Sequence, residues 1–487
     1  MRIITGVPRN QMQVYCLDSE IDKESEARLI DAFVNWINLD DYNFVIRGQK
    51  HDGHPAYAVK DMLKLYFYGY INRTRSSRRL KWLCKTNIEV KWLLNNLVPS
   101  HSSINTFRKE NGKQFKKVFR AFNRFLRDQG LFHENTVATD GSKFRAQNSK
   151  KNNYNEKKIK QHLDYIDKQT QRYLDELEKN DRLENNKNNH NIKKDIKDKL
   201  EQLQKRKEKY EKLEDKINEA YKKGETQIST TDEDARALPK KMNIVEVSYN
   251  VITTVEAKNK LITNFELTNK HDTYALSTAG RKARIAMGLE IEEQLIQLAD
   301  KGFDTGYELK QCALHNIDTI VSPKKRLSPN KDPQFNKTKF IYNANNDTYT
   351  CPNCKTLTTN GNLYKRNHGL LRKPYKVKRY VLPFQTCNAC PHKMECAGEA
   401  NITKSKGRYI ERSEYQHYVD KNIERVKNNK ELYRQRQAIV EHPYGTIKRQ
   451  WGFNYILTKK TMQRANADVS FMFIAYNLKR IMNKHYP

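Results

Sequence analysis

The sequence has no long apolar run, neither in its body nor at its start. No stretch reaches the 18 or more apolar residues of a candidate membrane span, and the first residues, MRIITGVPRNQ, have no apolar core. A secretion signal needs such a core behind a basic start. We therefore expect neither a membrane-spanning helix nor secretion.

Acidic residues are scarce relative to basic ones. The 487 residues include 91 Lys and Arg against 57 Asp and Glu, which gives a formal net charge of +34. A surplus of this size destabilises a compact fold by self-repulsion unless something acidic binds. Nucleic acid is the favoured partner, because contacts of Lys and Arg with phosphate drive binding through counterion release. An anionic membrane surface is the alternative.

The N-terminal part of the chain has a helical pattern, within a length that suggests about three domains. In HPAYAVKDMLKLYFYGYI, apolar residues recur at spacings of three and four and predict one apolar helix face. A short basic helix, an apolar helix, a break at Pro99 and a helix capped by Ser102 or Ser103 follow. The order resembles a helix-turn-helix DNA-binding arrangement. An ordinary helical bundle with a charged, solvated face is the alternative.

Gly and Pro are missing from residues 150 to 223, which are rich in Lys, Glu, Asn and Gln. Apolar residues repeat at intervals of seven on both sides of the polar break NDRLENNKNNHN. They are Ile159, Ile166 and Tyr173 before it, and Ile196, Leu203, Tyr210 and Ile217 after it. Two heptad runs around a polar tip predict an antiparallel helical hairpin. Dimerisation, DNA bracing and a passive insertion stay open as its role.

From residue 242 the pattern changes to strands. IVEVSYNVITTVEA, a KNK turn and LITNFEL predict a β-hairpin, and a helix is expected around RKARIAMGLEIEEQLIQLAD. A loop, a helix and a strand follow, and this order predicts a mixed sheet with flanking helices. Residues 322 to 412 are expected to be loop-like and cationic. Helix returns from about 413, and VSFMFIAYNLKRIM predicts a buried helix.

Three carboxylates far apart in the sequence are candidate metal ligands. Asp140 follows a short β-type run in NTVATDGSKFRAQNS, Asp300 follows the apolar run of LIQLADKGFDTG, and Glu441 lies in the basic stretch VEHPYGTIKRQWGF. Mg²⁺ prefers oxygen ligands, and two such ions about 4 Å apart activate water or a 3′-hydroxyl in phosphoryl transfer. Taken singly, Asp140 is also compatible with a turn, Asp300 with a helix cap, and Glu441 with an ion pair to Arg436 or Lys448.

These stretches together resemble the DDE transposases of bacterial insertion sequences. The resemblance is closest to the branch named after IS1182 within the IS4/IS5-like group, and it covers nearly the whole chain. HPAYAVKDMLKLYFYGYINRTRSSRRL, VATDGSKFRAQNS, SYNVITTVEAKNKLITNFELTN, LADKGFDTG, VEHPYGTIKRQWGF and AYNLKR carry it. It implies an α/β RNase H-like core with Asp140, Asp300 and Glu441 as its DDE triad. Asp304 is the alternative candidate for the second acid. Asp300 is preferred because it directly follows the apolar run.

The wider group also has a Tyr-Arg-Glu-Lys signature around its last acid. The matching positions here are Tyr433, Arg436, Glu441 and Lys448, and the step from Arg436 to Glu441 is one residue longer than in the family. Glu441 and Lys448 would share one face of a regular helix, which Pro443 complicates. The resemblance implies DNA contacts by Tyr433, Arg436, Lys448 and the adjacent Arg449.

Five of the eight Cys cluster between residues 351 and 396, as CPNC and CNACPHKMEC. Two Cys-x-x-Cys pairs can supply four thiolates to tetrahedral Zn²⁺, and His392 is a further candidate ligand. The resemblance implies a set of Cys351, Cys387, Cys390 and Cys396 with Cys354 left over. The alternative set is the two pairs without Cys396, and reduced buried thiols are the third possibility.

The resemblance implies one organisation and one activity. The expected domains are a helical DNA-binding domain (1–130), a core in three pieces (131–149, 231–325 and 413–487), a coiled-coil insertion (150–230) and a zinc-binding insertion (326–412). The activity is cleavage of DNA at the ends of a mobile element and transfer of the 3′-hydroxyl into target DNA, with Mg²⁺ or Mn²⁺. The partners are double-stranded DNA and a second copy of the chain, in the bacterial cytoplasm at the nucleoid. A DNA-binding regulator that does not cut, and a metal-dependent nuclease that does not join, are the alternatives.

Overall fold

A computed structural model of the chain describes residues 10–12, 14–46, 56–182, 187–222, 224–239, 244–324, 333–367, 373–397, 407–458 and 460–485. The sequence patterns at the extreme N-terminus, at His54 and in the centre of the polar hairpin tip lie outside these residues. The contacts divide the chain into two compact units. Unit 1 comprises 1–271, 281–290 and 437–487, and unit 2 comprises 272–280 and 291–436. No helix of the described chain is both long and apolar enough to cross a membrane.

Unit 1 begins with short helices and ends with a long buried one. The helices are α1 (Glu26–Trp36), α2 (Val59–Ile71), α3 (Ser77–Thr86), α4 (Ile88–Leu93), α5 (His101–Glu110), α6 (Gly112–Asp128) and the C-terminal α15 (Met462–His485). Helix α15 packs against α2 and α6, and it is buried along most of its length, as its apolar pattern predicted. Helix α2 is buried from Met62 to Ile71, not on one face only, because helices cover it on more than one side.

The predicted N-cap of α5 is wrong by two or three residues. Ser100 caps the helix, and its hydroxyl accepts a hydrogen bond from the backbone N–H of Ser103. Residues 94–100 join α4 to α5, which is longer than the three or four residues of a helix-turn-helix turn. The helices of this segment are present, but their connection is looser than the pattern suggested.

The strands that lie in unit 1 pair antiparallel and are arranged around one long strand. Strand β5 (Val245–Glu256) pairs on one side with β1 (Thr136–Arg145). On the other side it pairs with β4 (Arg236–Pro239) and β6 (Ile262–Thr268). The side chain of Asn477 on α15 bonds both the N–H and the C=O of Ile262, at 2.8 and 2.9 Å. A buried side chain thus satisfies part of the open edge of β6, and it ties the last helix to the sheet.

Two long helices lie between β1 and β5 in the chain. They are α7 (Glu156–Arg182) and α8 (Lys187–Lys222), and the short strands β2 (Asn153–Tyr154) and β3 (Ile228–Ser229) pair at their base. The heptad residues form their shared core, including Ile159, Ile166, Leu203 and Ile217. The two heptad runs therefore pack against each other.

Unit 2 begins with a parallel β-α-β arrangement. Strand β7 (Leu295–Ala299) pairs in parallel with β8 (Ile317–Val321), and helix α10 (Gly306–Ala313) connects them. The helix expected around residues 281 to 300 is partly wrong. Helix α9 (Leu276–Met287) stops early, and the apolar LIQLA is strand β7. An apolar run this short fits a buried strand as well as a buried helix.

The cationic region of unit 2 is not loop-like as expected, because much of it is a five-stranded antiparallel sheet. Its strands, in the order of pairing, are β13 (Tyr409–Ser413), β12 (Tyr375–Val381), β11 (Thr356–Arg366), β10 (Thr348–Thr350) and β9 (Ile341–Asn343). Its small core contains Phe340, Tyr349, Leu357, Tyr380 and Ile410. Helices α11 (Phe384–Asn388), α12 (Lys393–Ala397), α13 (Gln416–Asn428) and α14 (Lys430–Tyr444) follow, and the boundary between the two units falls within α14, at residues 436 and 437.

Candidate active site

Asp140 lies in the middle of strand β1, not at the end of a strand. It is paired directly with Thr253 of β5, and its Oδ1 accepts a hydrogen bond from the N–H of Gly141 at 2.8 Å. The DGS sequence therefore continues the strand instead of forming a turn. Directly opposed residues of antiparallel strands have side chains on the same face, so Asp140 and Thr253 share one face of the sheet.

Lys448 contacts the strand that bears Asp140. Its Nζ donates to Ser142 Oγ at 2.5 Å and to the carbonyl of Lys143 at 2.7 Å, and it lies 4.1 Å from the ring centre of Phe144. Residues 140, 142 and 144 point to the same face because side chains alternate along a strand. The predicted DNA-binding cation thus lies on the face of β1 that carries the carboxylate of Asp140.

Tyr444 joins the helix of Glu441 to the same face. Its hydroxyl bonds Thr253 Oγ1 at 2.7 Å and donates to the carbonyl of Val251 at 3.1 Å. Tyr444 is three residues after Glu441 on α14, a spacing that places two side chains on neighbouring positions of a helix surface. Tyr444 lies within VEHPYGTIKRQWGF, but no local sequence pattern assigns it a role. The Tyr444 hydroxyl bonds Thr253, and Thr253 is the strand partner of Asp140. This relation depends on the pairing of β1 with β5, which the sequence alone does not reveal.

The helix changes its winding just after Glu441. Pro443 lies inside α14, and a π-helical segment, Gly445–Gln450, follows directly. Pro443 has no N–H for the carbonyl four residues earlier, and its ring crowds that carbonyl. Wider turns of this kind occur mostly as local insertions in α-helices, frequently at functional sites. The regular helix assumed for Glu441 and Lys448 is therefore wrong, because the wider turn rotates Lys448 relative to Glu441.

Glu441 is exposed and accepts a hydrogen bond from Nε2 of Gln437 at 2.9 Å. No ion pair joins it to Arg436 or Lys448 in the described chain. Arg449, on the π-helical segment, is exposed. In unit 2 the guanidinium of Arg436 lies 5.8 Å from the ring centre of Tyr433, so these two signature residues contact each other.

Asp300 directly follows strand β7 in unit 2. Its side chain accepts a hydrogen bond from the N–H of Gly302 at 2.7 Å and caps a single 3₁₀ turn, Lys301–Phe303. Ligands of open α/β sheets bind beyond the carboxyl ends of parallel strands, which is where Asp300 lies. Asp304 is buried, and its Oδ2 accepts a hydrogen bond from the N–H of Lys324 at 2.8 Å. Asp304 therefore has a backbone partner of its own, and the choice of Asp300 as the second acid stays a prediction.

Four of the five clustered cysteines line one cavity of about 30 Å³, and all five are free thiols. The four are Cys351, Cys387, Cys390 and Cys396. Cys354 is exposed, does not line the cavity, and has a φ of 51°. His392 contacts Glu395 and does not line the cavity.

Three of these sulphurs accept N–H hydrogen bonds. Cys351 accepts from the N–H of Lys355 at 3.3 Å, and Cys387 accepts from the N–H of Arg408 at 3.4 Å. Cys390 accepts from the side chain of Asn353, also at 3.4 Å. Gly407 allows the close approach at Cys387, because a Cβ there would lie 3.2 Å from the sulphur of Cys387 and 2.8 Å from the carbonyl oxygen of Leu382. Burial raises the pKa of Cys396 to about 11, with the neighbouring Arg408 opposing the shift and the other three thiols adding to it.

Soft thiolates are the ligands that Zn²⁺ prefers, so the chemistry of this donor set fits zinc. As the side chains stand, however, no three or more His, Cys, Asp or Glu residues of the described chain form a group that could hold a metal ion. The four sulphurs share a cavity without converging on one point. The same finding applies to the carboxylates, whose oxygens are the type of ligand that Mg²⁺ prefers.

Comparison with protein families gives two matches. Residues 15–110 match a transposase domain of the DUF772 family, and residues 350–482 match a transposase DDE domain. The second match includes Glu441, Lys448 and the five clustered cysteines. A search of curated proteins and a search of solved structures each found no match.

Proposed function

We propose, from the premise that this chain is a DDE transposase of the insertion-sequence type, that it cuts DNA phosphodiesters at the ends of a mobile element. The 3′-hydroxyl that is set free then attacks a phosphodiester of target DNA. One P–O bond breaks as another forms, so joining needs no external energy source. The IS1182 branch and an RNase H-like core are part of the proposal.

The observation that carries the proposal is the arrangement on one face of the unit 1 sheet. Lys448 contacts the strand of Asp140, and Tyr444, one turn after Glu441, bonds the residue paired with Asp140. A carboxylate beside DNA-binding cations is what phosphodiester chemistry needs, since the acid holds a metal while the cations hold phosphate.

In this proposal Asp140, Asp300 and Glu441 hold Mg²⁺ or Mn²⁺. A divalent ion held there would supply activation of the attacking oxygen and stabilisation of the leaving one. Lys448 binds the phosphate, and Tyr433, Arg436 and Arg449 contact the DNA backbone. Two copies of the chain act together on the two ends of the element.

We also propose that Cys351, Cys387, Cys390 and Cys396 bind one Zn²⁺ and leave Cys354 out. The shared cavity and the N–H···S hydrogen bonds support this set, because hydrogen bonds from outside orient metal ligands. A side-chain rearrangement within the cavity is required for four sulphurs to reach one ion.

The test is cleavage and joining of labelled duplex DNA that carries the ends of the element, with Mg²⁺ present. Wild type is compared with Asp140→Asn, Asp300→Asn and Glu441→Gln. The matched control is Glu431→Gln, an exposed glutamate on the same helix that pairs with Arg434. We expect the control and wild type to cut and join, and the three variants to bind the DNA but do neither.

Each other outcome has a definite meaning. If a variant cuts as well as wild type, its residue is not a member of the triad. If wild type binds but never cuts, the chain is a DNA-binding regulator. Cutting without joining under these conditions identifies a nuclease.

A further inference from the structure

Helix α8 has four lysines on one side. Lys205, Lys209, Lys212 and Lys216 are separated by four, three and four residues, which places them in one row along the helix. All four are exposed. Lys205 pairs with Glu201, while no ion pair of the described chain involves the other three. The row, which we call the lysine stripe, is therefore a largely uncompensated line of positive charge.

The charges of this part of α8 are separated by side. The lysine stripe lines one shallow groove, with Glu208 on one border and Leu213 on the other. The acids Glu211 and Asp215 fall on the far side of Glu208 by helical spacing. A solvated helix face normally carries positive and negative charges interspersed. Here the groove is lined by four lysines and one acid, Glu208, and this excess of positive charge is the electrostatic footprint of a polyanion-binding surface.

The length of the stripe fits duplex DNA. The twelve residues from Lys205 to Lys216 span eleven rises of 1.5 Å, about 17 Å, which is about half of the roughly 34 Å turn of B-form DNA. Lysine is a point charge on a flexible stem, so it suits phosphates and does not read base edges. The stripe therefore fits the DNA backbone, without sequence preference.

The base of the hairpin is fixed to the sheet that carries Asp140. Strand β3 pairs with β2, and the chain then runs into β4, which pairs with β5 beside β1. Lys158 Nζ donates to the carbonyls of Lys151 and Asn153, at 2.8 and 2.9 Å, and Arg236 pairs with Glu225 at 3.0 Å. These contacts at both ends of the hairpin leave it little freedom to rotate about its base.

We propose that the lysine stripe binds the phosphate backbone of duplex DNA and that the anchored hairpin holds this DNA in a fixed position relative to strand β1. That the bound DNA is a transposition substrate rests on the proposed function. The binding itself rests only on the stripe, its position apart from Glu211 and Asp215, and its anchoring.

The test uses the full chain and a duplex of arbitrary sequence about three turns long. One variant changes the four stripe lysines to Gln. The matched control changes four exposed lysines of the same hairpin outside the stripe, Lys157, Lys168, Lys179 and Lys197, and removes the same charge. The affinity of each for DNA is measured over a range of salt concentrations. Circular dichroism checks that both keep their helices.

Each phosphate contact contributes about 0.9 to the slope of log affinity against log salt. We expect the slope to become shallower by about 3 to 4 for the stripe variant and by less than about 1 for the control. Equal slopes for wild type and the stripe variant overturn the proposal. An equal decrease in slope in the stripe variant and the control variant also overturns it, because that result would reflect net charge alone. A change in self-association without DNA, at an unchanged slope, identifies a second copy of the chain as the partner instead. The slope is independent of cleavage, so a chain that never cuts still tests the stripe.

Discussion

At the scale of single residues, Tyr444 links two parts of the candidate site. We expect Tyr444→Phe, which removes only the hydroxyl, to lower the single-turnover cleavage rate by about 10- to 100-fold, as the loss of supporting hydrogen bonds around a metal ligand does. DNA affinity stays unchanged. The reason is that the hydroxyl holds the helix of Glu441 against Thr253, the strand partner of Asp140.

Thr253→Val removes the other side of this contact. If the two residues act through their shared hydrogen bond, the variant with both Tyr444→Phe and Thr253→Val cleaves about as slowly as either single variant. The reason is that the effects of substitutions at coupled residues are not additive. Tyr165→Phe, on the exposed surface of the hairpin, is the control. A Tyr444→Phe protein that cleaves at the wild-type rate would remove Tyr444 from the site.

The identity of the candidate residues was within reach of the sequence, but their surroundings were not. Asp140, Asp300 and Glu441 come from the family resemblance, and as members of a triad they stay predictions. DGS indicates a turn when only neighbours are considered, and it continues a strand here because β5 pairs along its whole length. The contact of Lys448 with Ser142 joins residues some 300 positions apart, which no local pattern encodes.

At the scale of elements, the cysteine-bearing helices α11 and α12 give a test of the zinc proposal. We expect the purified wild-type protein and Cys354→Ser to contain one zinc per chain, and Cys396→Ser to lose it. The reason is that Cys396 lines the shared cavity while Cys354 does not. Elemental analysis of metal content is the measurement. Zinc retained in Cys396→Ser and lost in Cys354→Ser would favour the set formed by the two Cys-x-x-Cys pairs.

Elements with strong local patterns were predictable, and those defined by long-range pairing were not. The heptads of α7 and α8, the β5–β6 hairpin and the apolar α15 each carry a periodic pattern. Strands β11 and β12 are rich in basic and polar residues, and only a few of their side chains, such as Leu357 and Tyr380, are buried. A strand with so few apolar residues shows little alternation, so its region was expected to be loop.

At the scale of the whole molecule, the two matched segments share one buried polar network in unit 1. Asp468 of α15 accepts hydrogen bonds from Tyr70 and from Arg75, the latter at 3.2 Å, and both side chains of that ion pair are almost fully buried. Arg75 also lies over the rings of Phe453 and Tyr455, at 4.2 and 4.5 Å. The N-terminal helices and the C-terminal helix thus form one folded body.

We expect Asp468→Ala to lower the free energy of unfolding by about 3–5 kcal/mol, because removing one partner leaves the Arg75 charge buried and unpaired. Asp128→Ala is the control. Its pair with Arg127 is about 40% exposed, and surface pairs contribute only about 0–1 kcal/mol. Denaturant titration measures both. Equal losses in the two variants would show that the network does not stabilise unit 1 as a whole.

The hairpin between β1 and β5 also has a consequence for how the chain folds. About 100 residues separate these paired strands, and the entropy lost on closing such a loop rises by about 0.6 kcal/mol with each doubling of its length. Helices and helical hairpins form within microseconds from contacts close in sequence. Once α7 and α8 have packed, β2 and β3 bring the two ends of the insertion together, and the loop left to close is only a few tens of residues long. The packed helical hairpin therefore shortens the loop between β1 and β5, and we expect this to speed the pairing of the strand that bears Asp140.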